Sequence, residues 1–194
     1  MIITEPKWKS WIVETTTPLF TPRQCQMVID AGRKQRPQKA QVGMGRPEAS
    51  GVDTKKRTTT ISWIPFKEME PMYNQINQFI QKANRNHFGF DDIQITEQAQ
   101  FTEYSEGGFY DWHMDTDVNM KHEPPVRKIS MTLLLSPENQ FEGGDLELMA
   151  PGKTAKLKQG HAITFASFIN HRVAPVTKGV RQSLVMWFGG EPFK

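Results

Sequence analysis

The stretch Arg181-Gln182-Ser183-Leu184-Val185-Met186-Trp187-Phe188 decides the fold. Successive side chains of an extended chain point to opposite sides, so Leu184, Met186 and Phe188 share one face and Arg181, Ser183, Val185 and Trp187 the other. One face is apolar throughout; the other opens with a guanidinium and a hydroxyl. Such a strand packs a core with one side and offers polar chemistry with the other. The same period of two recurs upstream in Ile163 and Phe165, in Leu146 and Leu148, in Ile129, Met131, Leu133 and Leu135, and in Ile93, Ile95, Ala99 and Phe101. Turn-forming pairs separate these segments: Gly107-Gly108, Pro124-Pro125, Gly143-Gly144, Pro151-Gly152 and Lys178-Gly179. Many short strands following helices predict a mainly β (α+β) protein, a sandwich or jelly roll with N-terminal helices packed outside one sheet.

Before Phe90 the period is helical. Thr21-Pro22-Arg23-Gln24 reads as an N-cap, a proline at the first helical position and a capping-box glutamine; Cys25, Val28, Ile29 and Gly32 follow at helical spacing. Cys25 is therefore expected in the core. A second helix is predicted from about Pro71 to Arg85, with Met72, Tyr73, Ile76, Phe79, Ile80 and Ala83 on its apolar side. Between the helices, Met44 to Lys56 lacks periodicity and reads as a loop, followed by a strand from Thr58 to Ile64.

The chain has 194 residues, expected to form one domain, with helical support over about 1–90 and a strand core over about 91–190. Its single cysteine excludes disulfide scaffolds, zinc ribbons and iron–sulfur proteins. Glu5, Lys7 and Lys9 interrupt the amino terminus where a signal peptide needs an apolar core, and no apolar run is long enough to span a bilayer, so a cytoplasmic protein without membrane association is expected. The net charge of +3 is unevenly spread: the segment from Arg33 to Arg57 carries +6 and the remainder −3. That basic segment holds no aromatic residue for base stacking, so nucleic acid is a disfavoured partner and a solvated loop or lid the favoured reading.

Five histidines are present. His113 and Asp115 lie two apart at the end of a strand-like stretch, on one face, where they could reach one metal ion. A His-x-Asp pair alone occurs by chance in many chains; His171, on a later strand, would complete a set of two imidazoles and one carboxylate, the arrangement that suits non-haem Fe(II). His171 is expected to end a strand, Lys178-Gly179 to turn, and Arg181 to open the next strand. A buried Arg181 needs an anion. His87 reads as a helix-end cation, His122 as a loop residue and His161 as a strand-start residue that competes weakly with His171.

The ordered set Tyr104, Tyr110-x-Trp112-His113-x-Asp115, Glu142-Gly143-Gly144-Asp145-Leu146, His171-Arg172-Val173, Pro175-Val176-Thr177 and Arg181-x-Ser183 resembles the Fe(II)/2-oxoglutarate-dependent oxygenases, in particular the prolyl 4-hydroxylase and PKHD-type hydroxylase group. The resemblance spans roughly Gln98 to Phe188 and weakens back to Thr21. It implies a double-stranded β-helix, with His113, Asp115 and His171 as catalytic iron ligands. It implies that Arg181, Ser183 and Tyr104 hold the C5 carboxylate of 2-oxoglutarate, and that Ser130 and Thr132 face the same site. Many prolyl 4-hydroxylases carry Lys where Arg181 stands, and some have Tyr at the position of Leu134. Retention of Asp115 argues against a halogenating relative.

The activity implied is oxidative decarboxylation of 2-oxoglutarate by O2 to succinate and CO2, coupled to hydroxylation of a prolyl residue in a peptide or protein, with ascorbate as a reductant. Tyr110, Trp187, Arg127, Arg57 and Trp63 would contact that substrate. Three alternatives stand beside it: an oxidative demethylase of nucleic acid, a hydroxylase of a free amino acid or small molecule, and a non-catalytic β-sandwich binding module. The demethylase branch usually carries a second Arg six residues after the cosubstrate Arg, where this chain has Trp187.

Overall fold

The computed structural model describes residues 10–39, 55–116, 125–149 and 153–192. Two α-helices, α1 (Pro22–Lys34) and α2 (Glu70–Ala83), lie in the N-terminal half. The strands are β1 (Ile12–Glu14), β2 (Gln38–Lys39), β3 (Arg57–Thr58), β4 (Thr60–Ile64), β5 (Gln94–Ile95), β6 (Ala99–Tyr104), β7 (Phe109–His113) and β8 (Val126–Leu134). They continue as β9 (Phe141–Gly143), β10 (Leu146–Leu148), β11 (Lys153–Ala155), β12 (Ala162–Ala166), β13 (His171–Val173), β14 (Val176–Gly179) and β15 (Arg181–Gly190). A major sheet runs in the order β1-β12-β8-β15-β6-β4-β2, with β5 also on β15; a minor sheet runs β11-β10-β13-β7-β3; β14 and β9 form a ribbon. All described pairings are antiparallel. This is the expected jelly roll, with both helices on one side of the major sheet.

The two faces of β15 organise the interior. Leu184, Met186 and Phe188 join Ile129, Met131 and Leu133 of β8 and Phe101 of β6 in one cluster with Cys25, Val28 and Ile29 of α1 and Met72, Ile76 and Ile80 of α2. Each such fully buried side chain stabilises the fold by about 1.5–3 kcal/mol. The capping box is present: the Thr21 hydroxyl accepts the Gln24 N–H, and the Gln24 side chain accepts from the Thr21 backbone. Gly32 lets α1 lie against the sheet, since a Cβ there would stand 2.3 Å from the Phe101 ring. Tyr73 fixes α2, donating to the Ile64 carbonyl at 2.6 Å and accepting from Ala99 N–H at 2.6 Å. A second cluster, with Ile163, Phe165, Leu146, Leu148 and Val173, fills part of the space between the sheets.

Several expectations are corrected. The second helix ends at Ala83 and passes into a π-helical turn, Asn84–Phe88, which contains His87. The Asn84 side chain, bonded to both backbone groups of Phe90, holds that turn in place. The strand expected over Thr58 to Ile64 is two strands, because the chain changes sheets: Arg57 pairs with Tyr110 in the minor sheet, and Trp63 with Gln100 in the major one. His171 opens β13 instead of ending a strand. Arg33 and Lys34 belong to the last turn of α1, where cations suit the helix dipole, and Arg33 pairs with Glu103 at 2.8 Å. Residues 40–54 of the expected lid, and His122, lie outside the described residues. No described helix is long and apolar enough to cross a membrane.

Candidate metal centre

His113 closes β7 and His171 opens β13, and the two are direct Cα partners across the antiparallel pair. Such partners bring side chains into contact; the ring centroids are 4.2 Å apart. In each histidine Nδ1 faces a backbone carbonyl two residues back, Asp111 O at 2.8 Å and Ile169 O at 2.9 Å. A carbonyl can only accept, so Nδ1 carries the proton and Nε2 presents a lone pair. Asp115 lies just past the end of β7. Its N–H and that of Thr116 both donate to Ser167 O, at 2.9 and 3.2 Å, folding the chain back toward the histidines. Its carboxylate oxygens stand 3.5 Å from each Nε2.

Burial pulls the His171 pKa down to about 4, leaving a neutral imidazole. Burial opposes the charge on Asp115, but in acid, where His171 becomes protonated, the attraction of the histidine pair and Arg127 outweighs it and holds the carboxyl below the usual carboxylate range. Three ligand atoms thus lie within 4.8 Å of one another, each offering lone pairs and none a proton to its neighbour. The donor set fits a divalent transition metal that accepts imidazole and carboxylate, and Fe(II) in particular.

A bulge in β7 shapes the wall. His171 pairs with His113 and Val173 with Tyr110, so β7 carries one residue more than β13 between the two pairs. Strict alternation would send Tyr110 and His113 to opposite faces. The bulge brings both onto one cavity of about 700 Å³, where their rings stack at 3.5 Å between centroids. Asp111 and Trp112 are exposed at the rim of the same cavity.

Arg181 is 3% exposed and stands opposite Tyr104 in register, with its guanidinium carbon 5.6 Å from the Tyr104 ring centroid. Burial lowers its pKa, and its Nη1 donates to Ser183 Oγ at 3.1 Å. No ion pair joins it to a described carboxylate. Thr102, the cross-strand partner of Ser183, holds a buried hydroxyl without a described partner. Sequence reasoning passed over Thr102, although it sits two residues before Tyr104 on the same face. Tyr104 and Thr132 line the cavity; Arg181 and Ser183 lie buried beside them and not on its wall. Ser130 is buried, shares a hydrogen bond with Ser167 Oγ at 2.9 Å, and is not part of the cavity lining. Gly144 packs on Arg181 at φ 67°, where a Cβ would stand 2.7 Å from Arg181 Cδ.

The expected substrate residues Tyr110, Trp187, Arg127, Arg57 and Trp63 all line the cavity. Arg127 lies over the Trp187 ring at 3.9 Å and is held by Glu97 at 2.5 and 2.6 Å. Arg57 lies over the Tyr110 ring at 4.3 Å, and burial pushes the Tyr110 phenol up to about 12. His161 is bound to Thr15 of the segment after β1 and takes no part.

Residues 99–189 match the family model of the 2OG-Fe(II) oxygenase superfamily. A PKHD-type hydroxylase from Parvibaculum lavamentivorans is 39% identical over 93 residues, which cover 45% of this chain and 41% of that protein. The chain therefore spans about two fifths of that relative's length. A PKHD-type hydroxylase from Colwellia psychrerythraea is 32% identical over 146 residues, 72% of this chain and 64% of that one. Among solved structures, the viral collagen prolyl hydroxylase of Paramecium bursaria Chlorella virus-1, in its 2OG complex, superimposes with a TM-score of 0.73 at 19% identity. The superposition covers 94% of this chain and 97% of that one, a likeness of fold. With the matching residues spanning the strands that build the histidine and aspartate cluster, residues 99–189 form a domain of the 2OG-Fe(II) oxygenase superfamily.

Proposed function

We propose that the chain is an Fe(II)- and 2-oxoglutarate-dependent dioxygenase that hydroxylates a prolyl residue in a peptide or protein. The observation that carries this is the convergence of His113 Nε2, His171 Nε2 and the Asp115 carboxylate in one cavity, beside a buried guanidinium that has no carboxylate partner among the described residues. The three side chains would hold the iron on one face and leave positions for the 2-oxo acid and O2. Activation of O2, coupled to oxidative decarboxylation of 2-oxoglutarate to succinate and CO2, is the chemistry an iron held there supplies; one oxygen atom enters succinate and the other the substrate.

The chain's own residues position and shield. Arg181 donates to the C5 carboxylate of the cosubstrate, a charge-assisted contact in a buried setting. Ser183 Oγ already accepts from Arg181, so its own O–H is free to donate to that carboxylate; the Thr102 hydroxyl is free in the same way. Tyr104 and Thr132 close the adjoining wall. The Nδ1 bonds to backbone carbonyls fix both imidazoles in the tautomer that binds metal. Trp187, Tyr110 and Trp63 give flat apolar walls that suit a pyrrolidine ring, and the glutamate-held Arg127 fixes the face of Trp187. The names of the relatives, PKHD-type hydroxylase and collagen prolyl hydroxylase, favour proline over other targets.

Fe(II) added anaerobically with 2-oxoglutarate is expected to give a weak visible charge-transfer band. Admission of O2, with ascorbate as reductant and a proline-containing peptide library, is expected to release succinate and add one oxygen to Pro by mass spectrometry. No band in well-folded protein would overturn the iron site. Oxygen found only on nucleic acid or on free amino acids would overturn the prolyl substrate.

A further inference from the structure

Two arginines are buried among the described residues, Arg181 and Arg57, at 3% and 8% exposure. The exposed or half-buried Arg33, Arg127 and Arg172 each pair with a glutamate, Glu103, Glu97 and Glu147. Neither buried arginine has a described carboxylate within ion-pair reach. Arg181 answers to the cosubstrate. Arg57, on the cavity wall in β3, uses one of its five N–H donors, from Nη2 to Gln100 Oε1 at 3.1 Å, and its Nε has no described partner. Gln100 is neutral and Tyr110 offers only its ring face, so neither cancels the charge. A buried guanidinium without a counter-ion is costly.

The surroundings point the same way. Lys39 and Lys56 line the cavity beside Arg57. Glu97, the glutamate on the cavity wall, is occupied at both oxygens by Arg127. Asp111, the acid on the Arg57 lip, is exposed and spends Oδ1 on the N–H of Trp112 at 2.8 Å. The lip therefore meets a substrate with net positive charge.

From this, and resting on the dioxygenase reading above, we infer that Arg57 receives a carboxylate of the substrate, either an acidic side chain beside the hydroxylated proline or the α-carboxylate of a terminal proline. The site thus selects acidic sequences, with Lys39 and Lys56 steering them in.

Three acetylated peptides test this: one with Glu beside Pro and an amidated end, its Gln counterpart, and a Gln peptide that ends on Pro with a free carboxylate. With iron, 2-oxoglutarate and O2, at least one of the two carboxylate peptides is expected to show a KM lower than the amidated Gln peptide by about tenfold or more, and which one does so identifies the source. In Arg57→Gln the advantage is expected to vanish, while in Lys67→Gln, a lysine away from the cavity lining, it persists. Equal KM for all three peptides in the wild-type protein overturns the inference alone, whether or not the Arg57 variant folds. An advantage that persists undiminished in folded Arg57→Gln does the same. Hydroxylation of none of them, in protein that still converts 2-oxoglutarate to succinate without substrate, overturns the prolyl reading and the inference with it.

Discussion

His113 and His171 are direct cross-strand partners of β7 and β13, their rings 4.2 Å apart between centroids, and neither belongs to the long strands of the major sheet. The proposed metal site is thus set by register in the smaller sheet. A slip of one residue would turn His171 to the other face and leave Asp115 with one imidazole.

Asp115→Ala is expected to leave the fold intact, because Asp115 is held through its backbone N–H to Ser167, which alanine retains. Metal affinity, read by Co(II) absorption, should fall by more than the roughly 10- to 100-fold typical of losing an outer hydrogen-bond partner. Succinate release should cease. Continued turnover would remove Asp115 from the ligand set.

Arg181→Ala is expected to weaken 2-oxoglutarate by roughly a hundredfold or more, since it removes the charged partner of a buried anion. Iron affinity without 2-oxoglutarate should change little. Titration of the anaerobic charge-transfer band separates the two quantities, and equal loss of both would make Arg181 a structural residue.

Two glycines should behave differently when changed to alanine. Gly144→Ala meets both a left-handed backbone and the Arg181 side chain, so it should cost about 1–2 kcal/mol and also weaken 2-oxoglutarate. Gly32→Ala drives a methyl into the Phe101 ring on the helix side and should cost about 1–3 kcal/mol by overpacking, with 2-oxoglutarate affinity unchanged in the folded fraction. Urea midpoints paired with the band titration check both.

Cys25 should resist disulfide reagents in the native state, as burial raises its pKa from 9.0 to about 11. In that window the unfolded chain binds fewer protons than the folded one, so stability is full below pH 9.0 and is lost as pH rises through about 11. Tyr73, also raised by burial, adds in the same direction. Urea midpoints that stay flat across this range would contradict the buried setting.

The capping box, the two helices and the two faces of β15 were legible because they rest on neighbours in sequence. Cys25 and Leu184 needed only a periodicity to be placed in the core. The ligand set was legible as a spacing, but its geometry was not: Asp115 is positioned by Ser167, and His113 by the β7 bulge, both products of long-range pairing. Ser130 has the parity on β8 to face the site, and its contact with Ser167, from a distant segment, is one that no spacing announces. Thr102 and Gly144 gain meaning only once Ser183 and Arg181 are laid beside them. The separation of Arg57 and Trp63 onto different sheets depends on a crossing at Thr59 that no local pattern encodes.

The bulge in β7 has a consequence for how this chain can diverge. Loss of one codon at Asp111 or Trp112 would remove one exposed side chain from the cavity rim and would read, in an exposure profile, as a harmless deletion. It would nevertheless restore plain alternation between Tyr110 and His113, so that keeping the imidazole on the metal would expel the phenol from the substrate wall, or the reverse. Length at this point is therefore under tighter constraint than residue identity, and sequences that shorten it should have surrendered either the metal or the substrate.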